Sequence, residues 1–227
     1  MTTRFQNRAE AGRVLAGELR RFANRDDVVV YALPRGGVPV AYEVAKALHV
    51  PLDVLLVRKL GVPEHEELAF GAIAGGGIRV LNEGLMAELN LSEGAVQEII
   101  DRETTEIERR RNLYVGRRRA FDPAGQLVII VDDGLATGST MEAAVNAIKV
   151  RGPKEVVVAA PVASRSTFNY FNRRQGVSCV CADVPEPFYS VGLFYRDYSQ
   201  TTDEEVSLLL KRAEAEFLDW TGLRKSE

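Results

Sequence analysis

The stretch V-I-I-V-D-D-G-L-A-T-G-S-T, residues 128–140, decides the fold. Its first four residues, Val128 to Val131, are apolar and mostly β-branched and read as a buried strand. Two adjacent carboxylates follow, Asp132 and Asp133, and then a loop of small and hydroxyl residues that includes Gly134, Thr137, Gly138, Ser139 and Thr140. The next run, M-E-A-A-V-N-A-I-K, reads as a helix. Strand, loop and helix in that order put the loop at the carboxyl end of the strand, where open α/β sheets bind their ligands.

The residue types indicate what such a loop holds. Small residues let the backbone curl so that several N–H groups point inward, and Thr137, Ser139 and Thr140 add hydroxyl donors. The helix that starts near Ser139 turns its positive dipole end toward the same cavity, which suits a phosphate monoester. Two carboxylates beside it suit a pair of sugar hydroxyls. A phosphate site touching a diol site describes a 5-phosphorylated ribose. The plainer alternative is an ordinary strand ending in a polar turn, but paired carboxylates there are costly without a ligand. The stretch lacks the G-x-x-x-x-G-K-[ST] pattern of a P-loop and is not a dinucleotide fingerprint.

Composition narrows the class. At 227 residues, 46% of them apolar, the chain can bury a sizeable core as one large domain or a domain with an insertion. A net charge of −3 gives no global drive toward nucleic acid or an anionic membrane. No apolar run approaches the roughly 18 residues needed to span a bilayer. The opening M-T-T-R-F-Q-N-R does not read as a secretory signal, so a soluble, cytoplasmic protein is expected. The two cysteines, Cys179 and Cys181, fall on the same face of a strand and read as reduced thiols.

In chain order, Asn7 and Glu10 fit a capping box for a helix to about Phe22, with Ala11, Val14, Leu15, Leu19 and Phe22 as its apolar stripe. Nothing in that helix reads as catalytic. Val28 to Leu33 is a strand that ends in P-R-G-G-V-P, residues 34–39. Gly36 and Gly37 let backbone N–H groups approach an anion, and Arg35 adds a permanent cation. The next strand, Leu52 to Val57, enters a polar run from Arg58 to Leu68 without apolar periodicity, which reads as a long mobile loop closed by a short hairpin. Residues 82–125 read as a helical insertion, with Asn90 and Glu93 capping a helix of about 20 residues. Its stripe of Val96, Ile100, Ile107 and Tyr114 suggests an interface in a homodimer. Strands at 155–161 and 178–182, with a helix between them, complete an α/β pattern: a mostly parallel, Rossmann-like sheet with helices on both faces, in one domain spanning 1–227. Five aromatic residues crowd into 186–200, a segment that reads as a hood over a flat ring, and a helix closes the chain.

The D-D-G-L-A-T-G-S-T run resembles the phosphoribosyl diphosphate (PRPP) motif of type I phosphoribosyltransferases. A-L-P-R-G-G-V-P-V-A, V-R-K-L-G and S-Q-T-T-D-E-E-V resemble a bacterial group of that family with unassigned substrates. F-x-x-V-G-L-F-Y-R-D-Y is similar, with a gap, to the hood of hypoxanthine–guanine-type enzymes. The resemblance implies transfer of phosphoribosyl from PRPP, with Mg2+, to a nitrogen heterocycle of purine type, releasing pyrophosphate. It implies that Asp132 and Asp133 hold the ribose hydroxyls directly or through the metal. Gly134, Leu135, Ala136, Thr137, Gly138, Ser139 and Thr140 would cradle the 5′-phosphate. Arg35, Gly36 and Gly37, with a cis Pro34–Arg35 bond, would hold pyrophosphate, joined by Arg58 and Lys59. His65, Glu66 and Glu67 are candidate proton carriers, and Phe188, Phe194, Tyr195 and Asp197 would bind the base. Leu135 and Ala136 depart from the acidic side chain that many family members carry there. Two other classes fit the motif: a PRPP-sensing regulator that binds nucleic acid through Arg109–Arg111 and Arg117–Arg119, and another ribose-phosphate enzyme.

Overall fold

Branched apolar runs form parallel strands, and the chain lays them down in two directions from one starting strand. The computed structural model describes residues 5–62, 65–114, 116 and 121–222, without the side chains of 65–67. The elements are α1 (Arg8–Glu18), β1 (Val28–Ala32), α2 (Gly37–Leu48), β2 (Leu52–Val54), β3 (Val57–Val62), β4 (His65–Ala74), β5 (Ile78–Leu81), α3 (Glu83–Glu88), α4 (Glu93–Tyr114), β6 (Leu127–Val131), α5 (Ser139–Lys149), β7 (Glu155–Val162), α6 (Arg165–Arg173), β8 (Val177–Asp183) and α7 (Asp203–Thr221). The main sheet runs β2-β1-β6-β7-β8, all parallel. Its central strands are buried along their whole length, as V-V-V-Y-A and L-V-I-I-V require. Helices α1, α2, α4 and α7 share one core with the sheet, and α5 and α6 pack on the other face. This is the expected α/β fold.

β1 and β6 are paired in register, Ala32 opposite Val131. From β1 the chain continues to β2 on one side, and from β6 to β7 on the other. The loops after β1 and β6 therefore part, and a crevice opens between them. Such a switch point is where doubly wound sheets seat ligands. The segments 34–39 and 132–138 both lie there.

Three expectations need correction. The stretch 58–68 is mostly not a loop, because β3 and β4 pair antiparallel and β5 adds a third strand. The alternation Leu60/Val62 and Leu68/Phe70/Ala72 carries this hairpin, and register shifts at Leu60–Gly61 and Gly61–Val62 break its period. Second, Asn90 does not cap α4. It takes a left-handed φ of 51° just after α3, and the Ser92 hydroxyl accepts from the Ala95 N–H at 3.2 Å instead. Third, the α4 stripe is covered within the chain. Val96, Ile99, Ile100, Ile107 and Tyr114 are buried in the core shared with β3, β4 and α7, so the stripe offers no interface. On α1, Asn7 caps as expected, but Val14 faces solvent and the helix gives way to a 3-10 turn at Arg20–Phe22.

Candidate active site

The turn after β1 lies directly against the acidic pair. A Cβ on Gly36 would overlap the Asp133 carboxylate, and one on Gly37 would sit 2.6 Å from the Val131 carbonyl oxygen. Glycine is needed at both positions for this approach. The Pro34–Arg35 peptide is cis, as the family resemblance implies, and so is Glu186–Pro187.

The loop after β6 is fixed from behind. Leu135 is buried, and its N–H donates to the Val162 carbonyl at 2.9 Å. The hydroxyls of Ser164 and Thr167, at the start of α6, donate to the Ala136 carbonyl at 2.8 and 2.6 Å. Gly138 has a φ of 76°, and a Cβ there would meet the Thr167 methyl at 2.6 Å. Gly138 precedes α5 without a side-chain cap, so the first N–H groups of α5 stay available to an anion. Thr137 and Ser139 are exposed, with their hydroxyl oxygens 3.4 Å apart. Leu135 and Ala136 contribute to the loop through their main chain.

The two carboxylates differ sharply. Asp133 is buried and ion-paired, its Oδ2 accepting from Arg8 Nε at 2.8 Å. The Tyr195 hydroxyl donates to the Asp133 main-chain carbonyl at 2.6 Å. Asp132 is partly exposed, and its Oδ1 accepts the Asp133 N–H at 2.9 Å. Burial, and then the charge of Asp133, push the Asp132 carboxyl well above the usual range.

Basic groups gather on the same side. Arg58, on β3, pairs with the buried Glu103 of α4 at 2.6 Å. Arg58 and Arg110 of α4 line one narrow cavity together with Pro34 and Thr140. Arg110 also pairs with Glu106 at 2.6 Å. Arg35 reaches Asp203, at the start of α7, at 3.7 Å, and Asp203 accepts from the Tyr114 hydroxyl. Lys59 faces the other way, into a cavity of about 330 Å³ lined also by Ser139, Glu142 and Asn146. The side chains of His65, Glu66 and Glu67, and the run Arg117–Arg119, lie outside the described residues.

The hood is only partly as expected. Phe194 and Tyr195 are buried beside Phe5 and Val162, and Phe188 stacks on Phe194 with ring centroids 5.3 Å apart. These rings build a small core beneath the hood, which removes Phe194 and Tyr195 as a base platform. Asp197 is exposed and accepts from the Ser199 N–H at 3.0 Å, closing a turn, so it is no buried acceptor for a base. The hood still reaches the site, because a Cβ on Gly134 would overlap the Val191 side chain. Tyr189, two residues away, is 78% exposed.

Arg8 and the Ser164/Thr167 pair escaped the sequence reading, while Arg110 was read only within the basic run 109–111 and Val191 only within the hood motif. Arg8 is the first residue of α1, and its partner lies 125 positions on, beyond any local pattern. Only its neighbour Asn7, a cap that fixes where the helix begins, hints at its direction. Among the described residues, no cluster of three or more His, Cys, Asp or Glu side chains could by itself hold a metal ion. No helix among them is long and apolar enough to cross a membrane.

A parallel doubly wound sheet, with an acidic pair and a small-residue loop at its switch point, defines an α/β domain with its ligand crevice at the strands' carboxyl ends. The chain belongs to the phosphoribosyl transferase family: residues 3–169 match the family model for the phosphoribosyl transferase domain. A Mycobacterium tuberculosis protein from strain H37Rv, named provisionally as a phosphoribosyl transferase, is 42% identical over 215 residues, and its counterpart in strain CDC 1551 matches equally. That alignment covers 95% of this chain and 48% of the relative, so the chain spans about half the length of its curated relatives. A crystal structure of a Thermus thermophilus protein superposes with a TM-score of 0.80 at 38% identity, covering 92% of this chain and 99% of that one.

Proposed function

We propose that the protein transfers the phosphoribosyl group of PRPP to a nitrogen of a flat heterocycle and releases pyrophosphate. The observation that carries this reading is the contact between the P-R-G-G turn and the Asp132–Asp133 pair at the switch point. It brings the P-R-G-G turn up to the acidic pair beside the small-residue loop, which supports one shared crevice. Residues 134–140 bind the 5′-phosphate through main-chain N–H groups and the hydroxyls of Thr137, Ser139 and Thr140. Asp132 and Asp133 orient the ribose. Arg35 and Arg58 draw charge from the leaving pyrophosphate, and Arg110 joins them from α4. Breaking the bond to C1 builds positive charge on the ribose and negative charge on the leaving group, so the chain's work is positioning, neutralisation and exclusion of water.

The donor set also fits Mg2+, which is held by one or two carboxylates together with oxygens of the substrate rather than by a protein cage. The acidic pair, through one or both of its carboxylates, would hold it, and the ion would neutralise pyrophosphate charge. With Phe194 and Tyr195 in the core, the half-buried Phe188 and the exposed Tyr189 are the rings of this segment left to stack on the base. A purine-like acceptor, a homodimer and a cytoplasmic setting remain parts of the same reading.

Titration calorimetry with PRPP and magnesium tests it. Wild type should bind, and the double variant Asp132→Asn, Asp133→Asn should lose most of the affinity. A folded double variant with unchanged affinity would sink the assignment. A screen of bases for PRPP-dependent pyrophosphate release then names the acceptor.

A further inference from the structure

The adjacent aspartates are alike in sequence and unlike in surroundings. Asp133 is gripped from three parts of the chain. Arg8 donates to its Oδ2 at 2.8 Å, and both side chains are only 12% exposed. Gly36 lies against the same carboxylate. The Tyr195 hydroxyl holds its main-chain oxygen. The guanidinium of Arg8 is itself pinned, donating to the Ser199 carbonyl at 2.6 Å and lying 4.1 Å from the centre of the Tyr198 ring. Asp132 also has a glycine of that turn, Gly37, against it, but no side chain donates a hydrogen bond to it among the described residues. Its one hydrogen bond comes from the neighbouring main chain, and among the described residues no cation pairs with it.

We propose that Arg8 divides the labour of the pair: it locks Asp133 as a fixed buttress and leaves Asp132 as the carboxylate that meets the ribose hydroxyls or the metal. The inference rests on the phosphoribosyltransferase reading above. A charge-assisted hydrogen bond from an arginine is among the stronger polar contacts in a protein. The bond occupies Oδ2 of Asp133 and fixes the orientation of the whole carboxylate, which leaves it little freedom to adjust to a ligand. Asp132 has no such bond. The lock also ties the start of α1 and the segment 195–199 to the ligand crevice, so Arg8 acts as a positioning residue.

Calorimetry with PRPP and magnesium, with thermal unfolding recorded for each variant, tests this. Asp132→Asn should weaken PRPP binding by about tenfold or more, and Arg8→Ala by about fivefold. Arg8→Lys should recover most of the Arg8→Ala loss. The double variant Arg8→Ala, Asp133→Asn should bind like Asp133→Asn alone, because the lock has one purpose. Arg8→Gln carries the test if Arg8→Ala does not fold. Wild-type affinity in Arg8→Ala, losses that multiply in the double variant, or an Asp133→Asn loss equal to that of Asp132→Asn would each overturn the proposal. A folded wild type that binds no PRPP overturns the transferase reading instead. The lock is then judged by unfolding alone, where Asp133→Asn must erase the cost of Arg8→Ala.

Discussion

At the scale of single residues, the crevice is built by what is missing as much as by what is present. Gly36 and Gly37 lack the atoms that would push the 34–39 turn off the acidic pair. Gly36→Ala should displace the Asp133 carboxylate and loosen the Arg8 pair with it. We expect PRPP affinity to fall by about tenfold, equal to about 1.4 kcal/mol, with a lower Tm. Calorimetry and a melting curve check both, and unchanged affinity would mean that the turn relaxes freely. The paired carboxylates and the glycine turn were legible in the sequence because adjacent residues spell them out. Arg8 was not, because its role depends on a partner 125 positions away. The burial of Phe194 and Tyr195 was not legible for a related reason. An aromatic cluster looks the same in sequence whether its rings face a ligand or one another, and here Phe188, Phe194, Tyr195 and Phe5 pack together.

At the scale of elements, two pieces set the site's reach. The β3–β4 hairpin brings Arg58 and Lys59 past the crevice on opposite sides, as alternation along a strand requires. Its paired backbone should protect amides of 57–60 and 71–74 from hydrogen exchange even without ligand, yet less than those of β1 and β6. Exchange as fast as in an open loop would restore the loop reading. The bulge near Gly61 hid this hairpin, since it breaks the period on which strand recognition rests. Helix α4 is the second piece. Its apolar face was visible in the sequence, but its destination was not, because a stripe does not say whether it meets its own core or a second copy. With Ile100 at 2% exposure, Ile100→Ala should cost about 2–5 kcal/mol of stability, read by chemical denaturation. The same change should weaken PRPP binding if α4 holds Arg110 and Glu103 in place for the site.

At the scale of the whole molecule, the fold class was plain from alternating strands and helices, and the strand order was not. β1, β2 and β6 read alike along the chain, and only pairing shows that β6 returns to the free side of β1. The ends of the chain matter to this arrangement. Helix α7 closes over α2, where Glu216 accepts from the Tyr42 hydroxyl at 2.9 Å, from Arg212 at 3.0 Å, and sits 3.5 Å from Lys46. Burial opposes its charge, but Tyr42 and Arg212 outweigh that and hold its carboxyl below the usual range. A carboxyl lowered in the folded state adds stability above its unfolded pKa, and that contribution is lost as pH falls through the folded value. Glu216→Gln should therefore lower Tm by about 2–4 °C near pH 7, and by progressively less as the pH is lowered into the acid range. A loss of equal size across that range would refute the charge argument. The grip on Asp133 has one more consequence, in the order of synthesis. All five strands of the main sheet are complete by Asp183, but Tyr195, Tyr198 and Ser199 come later. A growing chain thus has its scaffold before it has the groups that steady the ligand crevice. A nascent chain made only as far as Asp183 therefore carries the walls of the crevice without the clamp that steadies Asp133.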